Sequence, residues 1–395
     1  MKLSGLPAVS LPACGVAPRR ILELDGIRGI AIIMVIGSHY EVFARQFWGL
    51  PKFGWIGVDI FFVLSGFLIT SVLLNLRGRA DSFSTFYSRR FRRILPPYIL
   101  MLVVAGLASA FMSDYYLFST DQIVRNLLFW QAIYITPVFH AFSFGIWHHT
   151  ALNARGRGLI GGISDSSRVL WSLSVEEYFY LLWAPAVLCL NRKWLVVTGI
   201  TVCLTAFVFR CFFFLGVFTG VSLFHRFDAL IYGAFVALLV SSKIARKLLQ
   251  AIFATAGCVG FVMMAAVLLP MPHIMNKEIS EDHLFMVFGL LALSLMSACV
   301  VGLFVMHSGS KPLSFMRWSP LRFLGTISYS LYLSHGLVYL CFLQFCQPTW
   351  TMTLAALVLS IGLAWLSFRY IEMPLLAGRS VKALVTAQLA PALGS

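Results

Sequence analysis

Long apolar stretches recur along the whole chain, and shorter segments rich in polar residues separate them. An apolar run of about 20 residues is long enough to cross the hydrocarbon core of a bilayer as an α-helix. The pattern therefore predicts ten membrane-spanning helices, which lie at 27–46, 54–75, 94–112, 169–190, 194–215, 226–242, 249–269, 284–306, 324–344 and 349–371.

The composition agrees with this pattern. The chain is 59% hydrophobic and only 11% charged, whereas soluble domains carry about 25% charged residues. We therefore expect an all-α polytopic membrane protein. Its formal net charge of +15 is typical of the cytoplasmic loops of such proteins, so that no nucleic-acid partner is expected.

The distribution of Lys and Arg predicts the orientation. If the N-terminus is cytoplasmic, 19 of the 30 Lys and Arg residues fall in cytoplasmic segments and 4 fall inside spans. The other 7 fall on the outer side, where Arg45, at the outer end of the first span, is counted. Membrane proteins keep an excess of these residues on the cytoplasmic side. The count therefore predicts that both the N- and C-termini are cytoplasmic.

The segments outside the spans divide the chain further. We expect a disordered N-terminal tail over 1–20, a transmembrane domain over 21–375 that includes a long outside loop over 113–168, and a cytoplasmic tail over 376–395. His140, His148 and His149 lie in the loop, without Cys or acidic residues at ligand spacing. We interpret them as ordinary loop histidines and expect no metal site.

Arg28 and His39 interrupt the first apolar stretch. Eleven residues amount to about three helical turns, so both side chains share one helix face, and the rise between them is about 16 Å. The structural explanation is an Arg that extends to the interface and a His that bonds a neighbouring helix. The shared face, together with further ionisable residues downstream, favours a functional site.

Other ionisable residues also fall inside predicted spans. Charges in hydrocarbon are costly and normally converge on a cavity or on each other. Nine of them, including Arg28 and His39, mark a candidate site; with the orientation above, seven of the nine lie in the outer half and only Arg28 is clearly inner. The remaining eight are His39, Asp59, Glu176, Glu177, Arg210, Arg226, Asp228 and His335.

Two of these groups have structural alternatives. Arg226 and Asp228 open the sixth predicted span, where they fit an interfacial ion pair with a favourable helix dipole for the Asp. Ser174 and Glu177 fit a helix-capping box, which would leave Glu176 as the carboxylate available for chemistry.

Ser65 and His335 also have structural explanations. Ser65 precedes Gly66, and such small residues permit close packing of two helices. His335 lies between Ser334 and Gly336, where it fits a hydrogen bond between helices.

Four arginines precede the third predicted span, namely Arg89, Arg90, Arg92 and Arg93. We expect them to lie in a cytoplasmic loop, with Pro96 and Pro97 in the first turn of the span. The run is consistent with an anchor for anionic lipid headgroups. It is also consistent with a phosphate-binding site, since guanidinium groups match phosphate geometry.

The sequence strongly resembles the membrane acyltransferase 3 family, from about Leu22 to Pro374. Arg28 and His39 match the Arg-x10-His motif of that family, and Glu176 stands at its shared carboxylate. Tyr178 stands where Gln is frequent in the family, which is a small departure. The remaining matches are Gly57–Ile69 with the second-helix signature, Arg90 and Arg93 with the Arg-x-x-Arg motif, Arg226–Leu230, Ser328–His335 and Ile371–Pro374.

The resemblance implies transfer of an acyl group, usually acetyl, from cytoplasmic acyl-CoA to a hydroxyl of a cell-envelope carbohydrate. It implies a multi-pass protein of the bacterial inner membrane, with the lipid bilayer, acyl-CoA and a carbohydrate as partners and no permanently bound cofactor. Many relatives carry a second, SGNH-type hydrolase-like domain. Only 21 residues follow Pro374, so we do not expect that domain here.

Roles for the marked residues follow from this resemblance. His39 suits a general base, Glu176 suits the group that fixes its tautomer, and Arg28 or Arg210 suits the stabilisation of developing negative charge. We expect CoA to contact Arg28, Arg90 and Arg93. The predicted acceptor site comprises Asp59, Ser65, Arg210, Arg226, Asp228 and His335.

Two other classes of protein remain as alternatives. Buried ionisable residues also mark transport paths, so a transporter or a flippase of an envelope precursor competes with the enzyme. The sequence shows no inverted repeat of the transporter type, which weighs against this class. A membrane scaffold that grips lipid would need neither His39 nor Glu176.

Overall fold

The structure is a computed structural model, and it describes residues 21–40, 42–43, 54, 56–111, 170–214, 226–269 and 284–376. The predicted N-terminal tail, the predicted outside loop over 113–168 and all but the first residue of the predicted C-terminal tail lie outside these ranges. So do the three loop histidines.

Ten α-helices make up most of the described chain, and each overlaps one predicted apolar stretch. They are α1 (Leu22–His39), α2 (Ile56–Leu76), α3 (Ser82–Phe111), α4 (Leu170–Cys189), α5 (Arg192–Phe214), α6 (Phe227–Val240), α7 (Arg246–Leu268), α8 (Leu290–Met306), α9 (Ser319–Phe345) and α10 (Trp350–Ser367). A π-helical turn, Phe285–Gly289, leads into α8, and another, Phe368–Glu372, continues α10.

Six segments in the described residues are long and apolar enough to cross a membrane. They are α2, α5, α7 and α9, together with α8 and α10 and the π-helical turns joined to these two. The helix α6 is apolar but shorter, with 14 residues. The protein is thus an all-helical, polytopic membrane protein over the part of the chain that the structure describes.

Two helices differ from their predicted limits. α1 ends at His39, and Tyr40 is already extended, so the imidazole lies at the helix end and not past the middle of a longer span. α3 begins at Ser82, well before residue 94, and Asp81 accepts a hydrogen bond from Thr85 Oγ1 (2.8 Å) at its start. The prediction that the four arginines lie in a loop is therefore wrong, while their cytoplasmic side stays a prediction.

The arginine run forms regular helix because Arg is a good helix former. Pro96 and Pro97 consequently lie in the middle of α3, not in its first turn. This corrects the predicted position of the prolines. It also places Arg90 and Arg93 on a helix that faces the rest of the bundle.

Glycines bring α1 very close to its neighbours. A Cβ on Gly26 would overlap the carbonyl oxygen of Met316, and one on Gly29 would overlap that of Leu321. On the facing helix α9, a Cβ on Gly325 would overlap the carbonyl oxygen of Asp25. These positions must lack a side chain, and they fix the register of α1 against α9.

Glycines also bring α2 and α6 into close backbone contact. A Cβ on Gly66 would overlap the carbonyl oxygen of Leu230, and one on Gly233 would overlap that of Val63. Such small-residue contacts are the usual means of close helix packing in membranes. The predicted packing role of Gly66 is confirmed.

Arginines bond helix ends along one end of the bundle. Arg77 donates to the carbonyl oxygen of Leu190, Arg192 donates to that of Leu238, and Arg246 donates to that of Met306 (2.5 Å). The last carbonyls of a helix have no partner within the helix. These side chains therefore supply hydrogen-bond donors to backbone carbonyls at the C-terminal ends of α4, α6 and α8.

Candidate active site

A pair of histidines joins α1 to α9. Nδ1 of His39 lies 2.8 Å from Nε2 of His335. The ring planes differ by only 16°, and the ring centroids are 5.1 Å apart. His335 is fully buried, with 0% of its surface exposed, whereas His39 is exposed. The accessible imidazole is thus tethered to an inaccessible one.

Residues around His335 hold it in place. Its Nδ1 lies 3.1 Å from the carbonyl oxygen of Leu331, one turn earlier in α9. The hydroxyl of Tyr40 donates to the backbone carbonyl of His335 (3.3 Å) and lies 3.0 Å from Oγ of Ser360 in α10. Three helices therefore fix the position of this ring.

Glu176 does not contact His39. Its carboxylate accepts hydrogen bonds from Ser65 Oγ (2.8 Å) and from the hydroxyl of Tyr180 (2.7 Å). The expectation that Glu176 fixes the tautomer of His39 is therefore wrong in this structure, where His335 makes that contact.

Arg90 lies beside this carboxylate. Its guanidinium carbon is 5.3 Å from the ring centroid of Tyr180 and 5.7 Å from that of Phe86. Its charge also interacts with those of Glu176 and Glu177. Flat contact with two aromatic rings stabilises a cation and orients its planar N–H groups.

Arg28 belongs to the same cluster. Its charge interacts with that of Arg93, with that of Asp25 on its own helix, and with those of Glu176 and Glu372. Three arginines and three glutamates form a group between helices, which we call the Arg–Glu cluster: Arg28, Arg90, Arg93, Glu176, Glu177 and Glu372. Glu176, which was predicted in the outer half of the membrane, thus interacts with Arg28, which was predicted in the inner half. The depth of either residue in the membrane stays a prediction.

Glu372 is a further member of the cluster and was not among the predicted site residues. It lies one residue beyond the predicted last span, yet only 2% of its surface is exposed and Ser330 Oγ donates to it (2.5 Å). The π-helical turn at the end of α10 continues the helix through this residue. The signal available in the sequence was its place in the Ile371–Pro374 match, next to an apolar stretch.

Glu177 is not a capping residue. Helix α4 begins at Leu170, so that position 174 is already inside it and the predicted capping box does not form. Oε1 of Glu177 is buried and has no hydrogen-bond partner among the described residues. Both carboxylates of α4 are thus part of the polar interior.

Four further charges form a separate network. Arg226 donates to Asp59 (2.5 Å), and Arg210 donates to Asp228 (2.8 Å). The predicted pair between Arg226 and Asp228 is therefore wrong, because each residue pairs with a different helix. Asp228 lies in the first turn of α6, where the helix dipole favours a carboxylate.

The exposure of the arginines separates this network from the Arg–Glu cluster, although Glu372 of that cluster is itself buried. Asp59, Arg210 and Asp228 are each 1% exposed. In contrast, Arg28, Arg90 and Arg93 keep partial exposure inside the bundle. Partly exposed charges between helices are typical of a cavity that takes a ligand. Fully buried ion pairs favour a structural role, and acceptor binding by these residues stays a prediction.

Known proteins resemble the chain over most of its length. It is 29% identical to the peptidoglycan O-acetyltransferase OatA of Listeria monocytogenes over 380 residues, which cover 89% of this chain and 55% of that protein. The putative peptidoglycan O-acetyltransferase YrhL of Bacillus subtilis is 29% identical over 381 residues, covering 90% and 55%. The O-acetyltransferase OatA of Staphylococcus aureus is 25% identical over 380 residues, covering 91% and 58%.

The chain thus spans just over half the length of these curated relatives. No solved structure matches it significantly. The family of acyltransferase 3, described as an acyltransferase domain, matches residues 21–369. Since that match includes α1 with its histidine, every member of the Arg–Glu cluster except Glu372, and nearly all of the described helices, the chain belongs to the acyltransferase 3 family.

Proposed function

We propose that the protein is a membrane O-acyltransferase that moves an acetyl group from cytoplasmic acetyl-CoA to a hydroxyl of a cell-envelope carbohydrate, across the membrane. The observation that carries the proposal is the exposed imidazole of His39. His39 lies at the end of α1, the helix that also carries Arg28. Its ring is hydrogen-bonded to that of buried His335 on α9. An imidazole titrates in the range that general base catalysis needs.

The Arg–Glu cluster is the proposed donor site. Guanidinium groups bind phosphate through paired hydrogen bonds, and CoA carries several phosphate groups. The rise between Arg28 and His39 is about 16 Å along α1. The long, thin pantetheine arm of CoA suits that distance, with its phosphates at the cluster and its thioester at His39. Arg28 is too far from His39 to stabilise the reacting carbonyl, so we assign it to the donor.

The proposed reaction needs one base. His39 accepts the proton of the acceptor hydroxyl while the hydroxyl oxygen attacks the thioester carbonyl. The carbon–sulfur bond then breaks, and the proton passes from His39 to the departing thiolate of CoA. The acyl group ends as an ester on the acceptor.

Sidedness completes the proposal. We propose ten spans with both termini in the cytoplasm of a bacterium and the protein in its inner membrane, as the Lys and Arg count favours. The relatives named for peptidoglycan support a carbohydrate acceptor outside the cytoplasm. Peptidoglycan glycan is therefore our first candidate acceptor.

Release of CoA from acetyl-CoA tests the function. The purified protein in detergent is given acetyl-CoA and a soluble peptidoglycan fragment, and free thiol and acetylated sugar are measured. We expect both products from the natural chain. The His39→Ala variant should lose at least about 100-fold in rate, the lower end of the contribution of a general base.

Controls separate loss of chemistry from loss of fold. The His39→Ala variant should keep the elution profile and thermal midpoint of the natural chain. Substantial activity in a properly folded His39→Ala protein would refute the role of His39. If the natural chain releases no CoA with any carbohydrate offered, a transporter or flippase becomes the better explanation.

A further inference from the structure

We infer that His335 is a positioning residue that fixes the tautomer of His39, with its own proton held by a helix carbonyl instead of a carboxylate. The inference rests on the proposed function, in which His39 is the base. It assigns to His335 a role distinct from the acceptor binding that the sequence suggested.

Hydrogen-bond chemistry determines where each proton lies. The carbonyl oxygen of Leu331 can only accept, so Nδ1 of His335, 3.1 Å away, carries a proton. His335 is fully buried, and its partners among the described residues include no carboxylate. Burial of an unpaired charge is costly, so the ring is neutral and its Nε2 carries a lone pair.

The second proton follows from the first. Since Nε2 of His335 can only accept, Nδ1 of His39, 2.8 Å away, must donate. Nε2 of His39 is then the basic nitrogen. The lone pair of an imidazole nitrogen lies in the ring plane, and the near-coplanar rings (16°) with centroids 5.1 Å apart fit such an edge-to-edge bond.

The surroundings keep this arrangement rigid. The hydroxyl of Tyr40 bonds the carbonyl of His335 and contacts Ser360, while the ring of Tyr40 stacks on that of Tyr339 at 4.2 Å. The glycine contacts between α1 and α9 fix the register that brings the two imidazoles together. Positioning of this kind lowers the entropy lost when the acceptor reacts.

The chemical consequence concerns the imidazolium that forms during the reaction. In triads with Asp, a carboxylate accepts the Nδ1 hydrogen bond and stabilises the charge. Here neutral His335 accepts it. The bond orients His39 without adding a negative charge, so the loss of His335 should lower the turnover number more than it changes binding of either substrate.

Two amide substitutions at position 335 test the inference. In His335→Gln the side-chain oxygen reaches the place of Nε2, whereas in His335→Asn the amide ends one methylene shorter, near the place of Nδ1. Both variants are polar, uncharged and similar in volume. We expect His335→Asn to lose about 100-fold in kcat, with KM for acetyl-CoA within about twofold, and His335→Gln to recover most of that loss.

A neighbouring substitution provides the control. Ser334→Ala removes a hydroxyl that donates to the carbonyl of Ser330 (2.9 Å) on the same helix, and we expect natural kcat from it. Equal kcat in the Gln and Asn variants, or a change confined to KM, would overturn the positioning role. Activity in His39→Ala would instead refute the proposed function, so the two failures are distinguishable.

If either amide variant folds poorly, NMR spectroscopy of the natural protein tests the tautomer of His39 directly. The nitrogen chemical shifts of ¹⁵N-labelled histidine in the natural protein should show one fixed neutral tautomer for His39, with the proton on Nδ1. A proton on Nε2, or an even mixture of tautomers, would contradict the inference.

Discussion

Charged side chains within the bundle fall into two groups with different surroundings. Arg28 and Arg93 remain partly exposed and interact with Glu372. Arg210 and Asp228 exclude solvent and bond one another at 2.8 Å. A charge that must bind a substrate needs access to it, whereas a charge that joins helices does not. The first group is therefore the better candidate for chemistry.

The Arg–Glu cluster gives a direct prediction for the donor. Replacement of both Arg90 and Arg93 by Lys keeps the charge but removes the planar fork that binds phosphate. We expect KM for acetyl-CoA to rise about tenfold, the equivalent of about 1.4 kcal/mol. Steady-state kinetics at saturating acceptor measures this change.

The neighbouring arginines of α3 offer a matched control. Replacement of Arg89 and Arg92 by Lys also keeps the charge on the same helix. Arg89 is exposed, and Nε of Arg92 donates to the carbonyl of Ser88 (3.1 Å). We expect little change in KM from this pair. Equal effects of the two double variants would favour the lipid-anchor interpretation.

The buried network predicts an effect on stability. Loss of one partner of a buried ion pair leaves an uncompensated charge, which costs about 3–5 kcal/mol. Arg210→Gln and Asp228→Asn should therefore each lower the thermal midpoint. The double variant should be more stable than either single variant, because no charge is left alone. A double variant whose thermal midpoint falls by the sum of the two single effects would contradict this account.

Part of the site could be predicted from the sequence. Helix periodicity places Arg28 and His39 on one face of α1. In the structure Arg28 is partly buried and His39 is exposed. The partner of His39 could not be found in this way, because His335 follows 296 residues later and helix order alone does not say which faces meet. The separation of the Arg–Glu cluster from the buried network also depends on helix packing.

At the scale of elements, glycine determines how closely helices approach. Gly66 and Gly233 bring α2 and α6 together with each glycine against a backbone carbonyl. Backbone cannot move aside as a flexible side chain can. The contact also brings Asp59 of α2 within 2.5 Å of Arg226, which immediately precedes α6.

Gly66→Ala should therefore destabilise the bundle. The added methyl group overlaps the carbonyl oxygen of Leu230, and overpacking of this kind costs about 1–3 kcal/mol. Thermal unfolding in detergent measures the effect. Gly362→Ala in α10 is the matched control, because a Cβ there meets nothing within 4 Å. An equal midpoint for both variants would refute the close-packing argument.

Hydropathy predicted the existence of the helices better than their limits. All ten apolar stretches overlap helices, because a long apolar run in a membrane protein has few other structures available. The start of α3 was missed, since its first turns contain Arg89, Arg90 and Arg92 and do not look like a span. Helix propensity and the bond from Thr85 to Asp81 decide that start, and hydropathy does not measure either.

At the scale of the whole molecule, some basic residues used to infer orientation also have structural partners. Arg77, Arg192 and Arg246 complete the C-terminal ends of three helices at one end of the bundle. A cation at a helix C-terminus also interacts favourably with the helix dipole. These three arginines therefore contribute to helix packing, whichever side of the membrane they lie on.

The proposed sidedness gives the last prediction. Arg28 and His39 are separated by about 16 Å of helix rise, roughly half of the hydrocarbon core of a bilayer. If the donor phosphates bind at the Arg–Glu cluster and the thioester reaches His39, donor and acceptor approach from opposite faces.

In sealed vesicles of known orientation, acetyl-CoA on the cytoplasmic face should acetylate a glycan held on the other face. Vesicles that contain the His39→Ala variant provide the negative control for this acetylation. Transfer only when both substrates share the cytoplasmic face would refute the cross-membrane route, whereas the acyltransferase proposal would stand.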